Sequence, residues 1–300
     1  MMALLRATWP SWARTPRRGV PAIALALLFA TLAAAQESDT EDVASGGGTQ
    51  TIIATQPADV PTGFQGLVKD RLAKAPAGAK VRLVLAQIFD QSPKKVITYL
   101  YAVATLDADG QPDGEESFHK PWRQGATHTI TWKHGVKDGP ERFYSPTDDG
   151  RFWLNSEIPW QAGKIHGVKR TIFITGKVQN ETTYVAGEAS GPAVSYDEQG
   201  RITRRGEMRA GKRHGEMVDF WPETGKPKRV VQYADGKAVG LSKEFYANGQ
   251  VKRELPFLDN AMHGEEKQYD ADGTLARTRW WLRGDSVSEE EFRTRAAAKP

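Results

Sequence analysis

A unit of 24 or 25 residues returns along this chain, and few folds accommodate so short a repeat. Taking the first glycine of each unit as its mark, the series is Gly110, Gly135, Gly163, Gly187, Gly211, Gly236 and Asn260, with Gly284 closing it. A second glycine stands four residues further on in every unit, from Gly114 to Gly264. Five residues beyond that comes an aromatic or aliphatic residue in six of the units: Tyr144, Ile172, Tyr196, Phe220, Phe245 and Tyr269. The first unit has His119 there. Asn248-Gly249, Asp272-Gly273 and Gln199-Gly200 divide their units into two short runs. Asn-Gly and Asp-Gly suit the positive φ angles of tight hairpin turns, so each unit reads as strand, tight turn, strand. Gly-x-x-x-Gly then reads as the turn into the next unit. A single hairpin is barely stable, so neighbours must pair in sequence. The expected fold is all-β: an elongated single-layer antiparallel sheet of tandem hairpins over residues 108–284.

The flanks read differently. Residues 1–35 carry Arg6, Arg14, Arg17 and Arg18, no acidic residue, an apolar run from Val20 to Ala34, and Ala33-Ala34-Ala35 before Gln36. This is the pattern of a cleaved export signal, and its apolar run is short of the roughly 20 residues that span a bilayer. The expected location is periplasmic, cell-surface or extracellular, with cleavage near Ala35 and no transmembrane span in the mature chain. Polar residues 36–61 read as a disordered tether. Over residues 62–107, Phe64, Leu67, Val68 and Leu72 recur at helical spacing after Thr62, an expected N-cap, and two apolar runs, 81–89 and 96–106, form a hairpin that the helix covers. In residues 285–300, Ser288 with Glu291 matches a capping box and predicts a terminal helix that shields the array.

Composition bears on partners once the signal is set aside. Four of the 41 Lys and Arg lie in residues 1–35, leaving 37 against 37 Asp and Glu. A neutral mature chain lacks the clustered basic excess of a nucleic-acid binder. With no cysteine there is no disulfide, thiol nucleophile or thiolate metal site.

The unit Gly-Lys-x-x-Gly, then Phe/Tyr, Gly and Tyr/Phe at fixed spacing, resembles the MORN-repeat variant (membrane occupation and recognition nexus), labelled in bacteria the YwqK-type antitoxin-like family. The match covers about residues 135–284 and is best from Gly187 onward. The resemblance implies an elongated sheet used for binding or scaffolding, and it brings no catalytic residue.

Several constellations invite chemistry. Arg204, Arg229, Arg253 and Arg277 each stand four residues after the central glycine of a unit. Two-residue turns would set Arg253 opposite Glu244, Arg277 opposite Gln268 and Arg204 opposite Ser195, with Asp219 near Arg229. Such pairs are ordinary sheet stabilisers. The functional reading is a cationic ladder facing an anionic polymer, with Arg204, whose partner is neutral, the most available. Trp221 and Tyr246 share a column beside the turns and are the expected exposed aromatic pair. His166, His214 and His263 repeat in place, but two units separate successive members by about 19 Å, too far for one metal ion. Ser190, Asp138 and Asp113 fill the same slot, which predicts a turn hydrogen bond. Gly206 to Arg213 nearly spells a P-loop, with Arg213 in place of Ser/Thr and strands on both sides. Residues 107–116 hint at calcium, with Pro112 where an EF-hand loop needs glycine. No Gly-x-Ser-x-Gly or His-Glu-x-x-His occurs.

The sequence therefore predicts an exported, non-enzymatic module that uses no cofactor or metal and binds a protein or envelope polymer. An immunity or antitoxin-like protein and an envelope hydrolase are the alternatives.

Overall fold

The computed structural model describes residues 49–91, 94–120 and 125–297. The expected signal, residues 1–35, lies outside them, as does the start of the expected tether. Among the described residues, twenty strands, from β1 (Thr49–Ala54) to β20 (Asp285–Val287), form one open antiparallel sheet in which each hairpin pairs with the next. β1 corrects the tether reading: Thr49 to Ala54 pair residue by residue with Ala86 to Val81 of β2 (Lys80–Gln91). Polar composition misled there because Ile52, Ile53 and the threonines suit a pleated surface, and β2 offers a ready edge.

Helix α1 (Gln65–Lys74) buries Val68 against Ala54, Val81, Leu83, Leu85 and Val103, which form the apolar core of the chain. Thr62 is not its N-cap. It opens a short 3₁₀ turn, Thr62–Phe64, and no side chain caps the helix. Helix α2 (Glu289–Ala297) starts on a Ser288 Oγ bond from the Glu291 N–H at 3.1 Å, and its Phe292 ring packs on Trp280.

The turns exchange places relative to expectation. The two-residue turns fall at the mark of every unit after the first and at the closing glycine, at His134-Gly135, Ala162-Gly163, Ala186-Gly187, Ala210-Gly211, Asp235-Gly236, Asp259-Asn260 and Arg283-Gly284, where both residues have positive φ. Asn248-Gly249 instead ends a three-residue loop in which only Gly249 does, closed by the Tyr246 N–H on Gln250 O at 2.9 Å. Asp272-Gly273 and Gln199-Gly200 do likewise. This is a type I turn with a glycine bulge, and an Asn-Gly pair serves it as readily as the primed turn.

The second glycine is not a turn residue at all. Gly139 lies inside β6 (Val136–Pro146) at φ +118°, where a Cβ would come within 2.9 Å of Thr131. A large side chain lies directly opposite every such glycine: Trp132, Trp160, Tyr184, Met208, Tyr233, Phe257 and Trp281 face Gly114, Gly139, Gly167, Gly191, Gly215, Gly240 and Gly264. Backbone bonds then lock unit to unit. The Gly135 N–H reaches Pro112 O, the Gly163 N–H Lys137 O and the Gly187 N–H Ile165 O, and the pattern continues to Gly284 and Met262. This spacing, turn to preceding strand, is what the 24-residue period encodes.

Register divides the sheet into two faces. Leu83, Val103, Ser117, Thr129 and Arg142 lie on one face, the face that α1 covers, and so does Trp280 under α2. Val84, Ala102, Phe118, His128 and Phe143 begin a row on the other, helix-free face.

Candidate partner-binding faces

That helix-free row continues strand by strand through Ser156, Thr171, Asn180 and Ser195 into Arg204, Asp219, Arg229, Glu244, Arg253, Gln268 and Arg277. The four arginines thus share one face, and the expected opposites are met. Their availability differs from expectation. Arg204 lies between Ser195 and Asp219, and its Nε donates to Asp219 Oδ1 at 2.5 Å. An interior strand has two neighbours, and the bulge at Gly215 brings Asp219 into line from the second one. Arg253 donates to Glu266 Oε1 at 2.8 Å. Arg229 and Arg277 are exposed and make no ion pair within 4.0 Å among the described residues. They, not Arg204, are the open cations of the ladder.

Trp221 and Tyr246 are also placed otherwise than expected. Both are half-buried, and each reaches forward to the next unit. Trp221 Nε1–H donates to Phe245 O at 3.3 Å, and Tyr246 O–H to Tyr269 O at 2.8 Å. Lys228 and Lys252 cover their rings, with ammonium to centroid distances of 4.5 and 5.6 Å. They staple successive loops, because a polar-tipped aromatic beside a loop finds a backbone carbonyl one unit away.

The sequence reading missed a carboxylate motif on the same face. Where Gly-x-Glu occurs and a tryptophan faces the glycine, the indole N–H donates to the glutamate: Trp132 to Glu116 at 3.1 Å, Trp160 to Glu141 at 2.7 Å, Trp281 to Glu266 at 2.6 Å. Each carboxylate is buried and also holds a cation. Arg82 meets Glu116 at 2.6 Å, Lys137 meets Glu141 at 2.9 Å, and Arg253 meets Glu266. Burial alone would raise the Glu141 pKa, but bonds from His128, Lys137 and Trp160 outweigh it and hold the group down to about 2. A carboxylate so satisfied is a poor proton acceptor near neutral pH. The signal was available: glutamate two residues after the second glycine, in the units that place tryptophan opposite it.

The histidine slot staples turns across units. Asp113, Asp138, His166 and Ser190 accept the backbone N–H of His134, Ala162, Ala186 and Ala210 from the following turn. His214 and His263 keep a buried Nδ1 with no hydrogen-bond partner. Among the described residues no cluster of three or more His, Cys, Asp or Glu is placed to hold a metal ion. The near-P-loop spans β12 (Ile202–Arg209), the Ala210-Gly211 turn and β13 (Lys212–Phe220), with no helix for a phosphate. In the calcium-like loop, Asp107 is occupied by the Gln111 N–H at 2.8 Å and by His134 at 3.1 Å.

On the helix-covered face, between the helices, charges alternate along the row. Arg142 meets Glu157 at 2.7 Å, Arg170 meets Glu181 at 2.9 Å, and Lys243 meets Glu254 at 2.9 Å. Between Glu181 and Lys243 the row runs through Val194, Arg205, Val218 and Val230, where the exposed Arg205 lies over the Phe220 ring.

Residues 238–259 and 262–279 match the family described as MORN repeat variant. No curated protein matches the chain. Among solved structures, a porin-like protein from Bacteroides uniformis aligns over 71% of this chain and 89% of its own, at 7% identity and a TM-score of 0.15. A score that low carries no argument about fold or membrane. No helix among the described residues is long and apolar enough to cross a membrane.

Proposed function

We propose that this chain is an exported, non-enzymatic repeat module that holds an acidic protein or envelope polymer against its helix-free face. The observation that carries this reading is the pair Arg229 and Arg277: exposed, on one row, without ion-pair partners among the described residues, and four strand spacings or about 19 Å apart. Single-layer repeat sheets present such extended surfaces to partners. Export rests on the charge and apolar pattern of residues 1–35.

Affinity capture from envelope extract tests the binding role. Reversing both cations, R229E with R277E, is expected to lower capture at least tenfold, since exposed arginines that meet an acidic partner are frequent binding hot spots. Unchanged capture by the double variant would reject the helix-free face as the binding surface. One small stoichiometric protein as the sole captured species would instead favour the antitoxin-like role that accompanies the MORN-variant resemblance. Export makes its own prediction: the mature protein recovered outside the cytoplasm begins at Gln36. Recovery of the intact N-terminus from the cytosol would sink it.

A further inference from the structure

The two ends of the sheet are treated differently. At the C-terminal end the last strand has three residues, Asp285–Val287, one of them charged, and α2 follows directly with its ring on Trp280. Short, charged and helix-covered edges are how proteins prevent strand-to-strand association. At the other end β1 carries six residues, Thr-Gln-Thr-Ile-Ile-Ala, with no charge and no proline. Among the described residues it pairs with β2 alone, so its outer row of N–H and C=O groups is open. Thr49, Gln50, Thr51 and Ile53 are exposed, Ile53 at 48%.

We propose that this edge is an interface for a second copy of the chain, which adds its own β1 antiparallel across a two-fold axis and continues the sheet. The faces limit the register. Thr49, Thr51 and Ile53 lie on the helix-free face, opposite Ala86, Val84 and Arg82, while Gln50 and Ile52 lie on the other, opposite Leu85 and Leu83. Residues directly opposite share a face, so odd positions must meet odd positions. With Thr51 on the axis, Thr51 meets its own copy, Ile53 meets Thr49 of the partner subunit, and Ile52 meets Gln50 of the partner subunit. The exposed Ile53 is then covered from both sides of the axis by a β-branched neighbour, a favourable cross-strand pair. An uncharged edge offers nothing to steer a charged partner strand, and this one is complementary to itself.

The absence of cysteine makes the register directly testable. In the full chain, T51C is expected to form a disulfide-linked dimer under mild oxidant, because opposed Cα atoms at about 4.5–5.5 Å lie within disulfide range. T49C alone is expected to remain monomeric on the gel, since its copies are about 13 Å apart in this register, whereas a mixture of T49C and I53C cross-links. I53K is expected to weaken the dimer at least tenfold in sedimentation equilibrium while leaving the circular dichroism spectrum unchanged. A monomer at tens of micromolar, or cross-linking of T49C alone as fast as T51C, would overturn the proposal.

Discussion

Replacing Glu266 with alanine is expected to cost about 3 kcal/mol of stability, concentrated in the C-terminal hairpin. The side chain is fully buried at 0% exposure. It accepts from Arg253 Nε at 2.8 Å, Trp281 Nε1 at 2.6 Å and Gln268 Nε2 at 2.5 Å. Removing it leaves a largely covered guanidinium, an indole N–H and an amide without their acceptor, and opens a void beneath Trp281. Each unit of an array contacts only its neighbours, so the loss falls first on β18 (Gly264–Tyr269), β19 (Leu275–Leu282) and the α2 docked beside them. Urea unfolding followed by tryptophan fluorescence should show an earlier, less cooperative transition. Glu266→Gln keeps an acceptor oxygen but loses the charge, and should sit between the two. An alanine variant within about 0.5 kcal/mol of the parent would mean that the carboxylate is not a structural centre.

The buried carboxylate also shows where sequence reasoning stopped. The repeat period announced the hairpin array because every unit needs glycine at the same backbone positions, and glycine is visible in a sequence. The register of the arginines came out as expected although the turn type did not: the register shift beside each three-residue loop restores the pairing that a two-residue turn would set, so Arg253 faces Glu244 and Arg277 faces Gln268. What the glycines did individually was not legible. Positive φ serves a two-residue turn, a bulge and a mid-strand kink alike, so Gly236, Gly249 and Gly240 look equivalent until backbone bonds separate them. Contacts that join different units were hidden altogether. Asp219 reaching Arg204, Trp221 reaching Phe245 and Glu266 reaching Arg253 depend on which strand lies on the second side. A period says that units are neighbours, but side-chain chemistry differs from unit to unit, and only three units combine the glutamate with a facing tryptophan.

Acid should expose the second of these glutamates. Glu141 is held at about 2 in the folded chain against an ordinary 4.5. A depressed carboxylate contributes stability that is fully present above the unfolded value, 4.5, and is lost as pH falls toward the folded value, about 2. Its side chain is 6% exposed, so solvent screens the contribution little. The shift corresponds to about 3 kcal/mol, of which about 2 kcal/mol is gone by pH 3. The same proton weakens three contacts together, since His128 Nε2, Lys137 Nζ and Trp160 Nε1 all converge on this carboxylate at 2.9, 2.9 and 2.7 Å. His128 stacks between Phe118 and Phe143, so loosening the carboxylate also releases the aromatic row at the start of the helix-free face. Glu141→Gln removes the titrating group: it should be less stable than the parent at pH 6 but lose less on going from pH 6 to pH 3. Parallel stability profiles for the two proteins over that interval would show that Glu141 titrates as it does in the unfolded chain and that the three donors do not hold its charge.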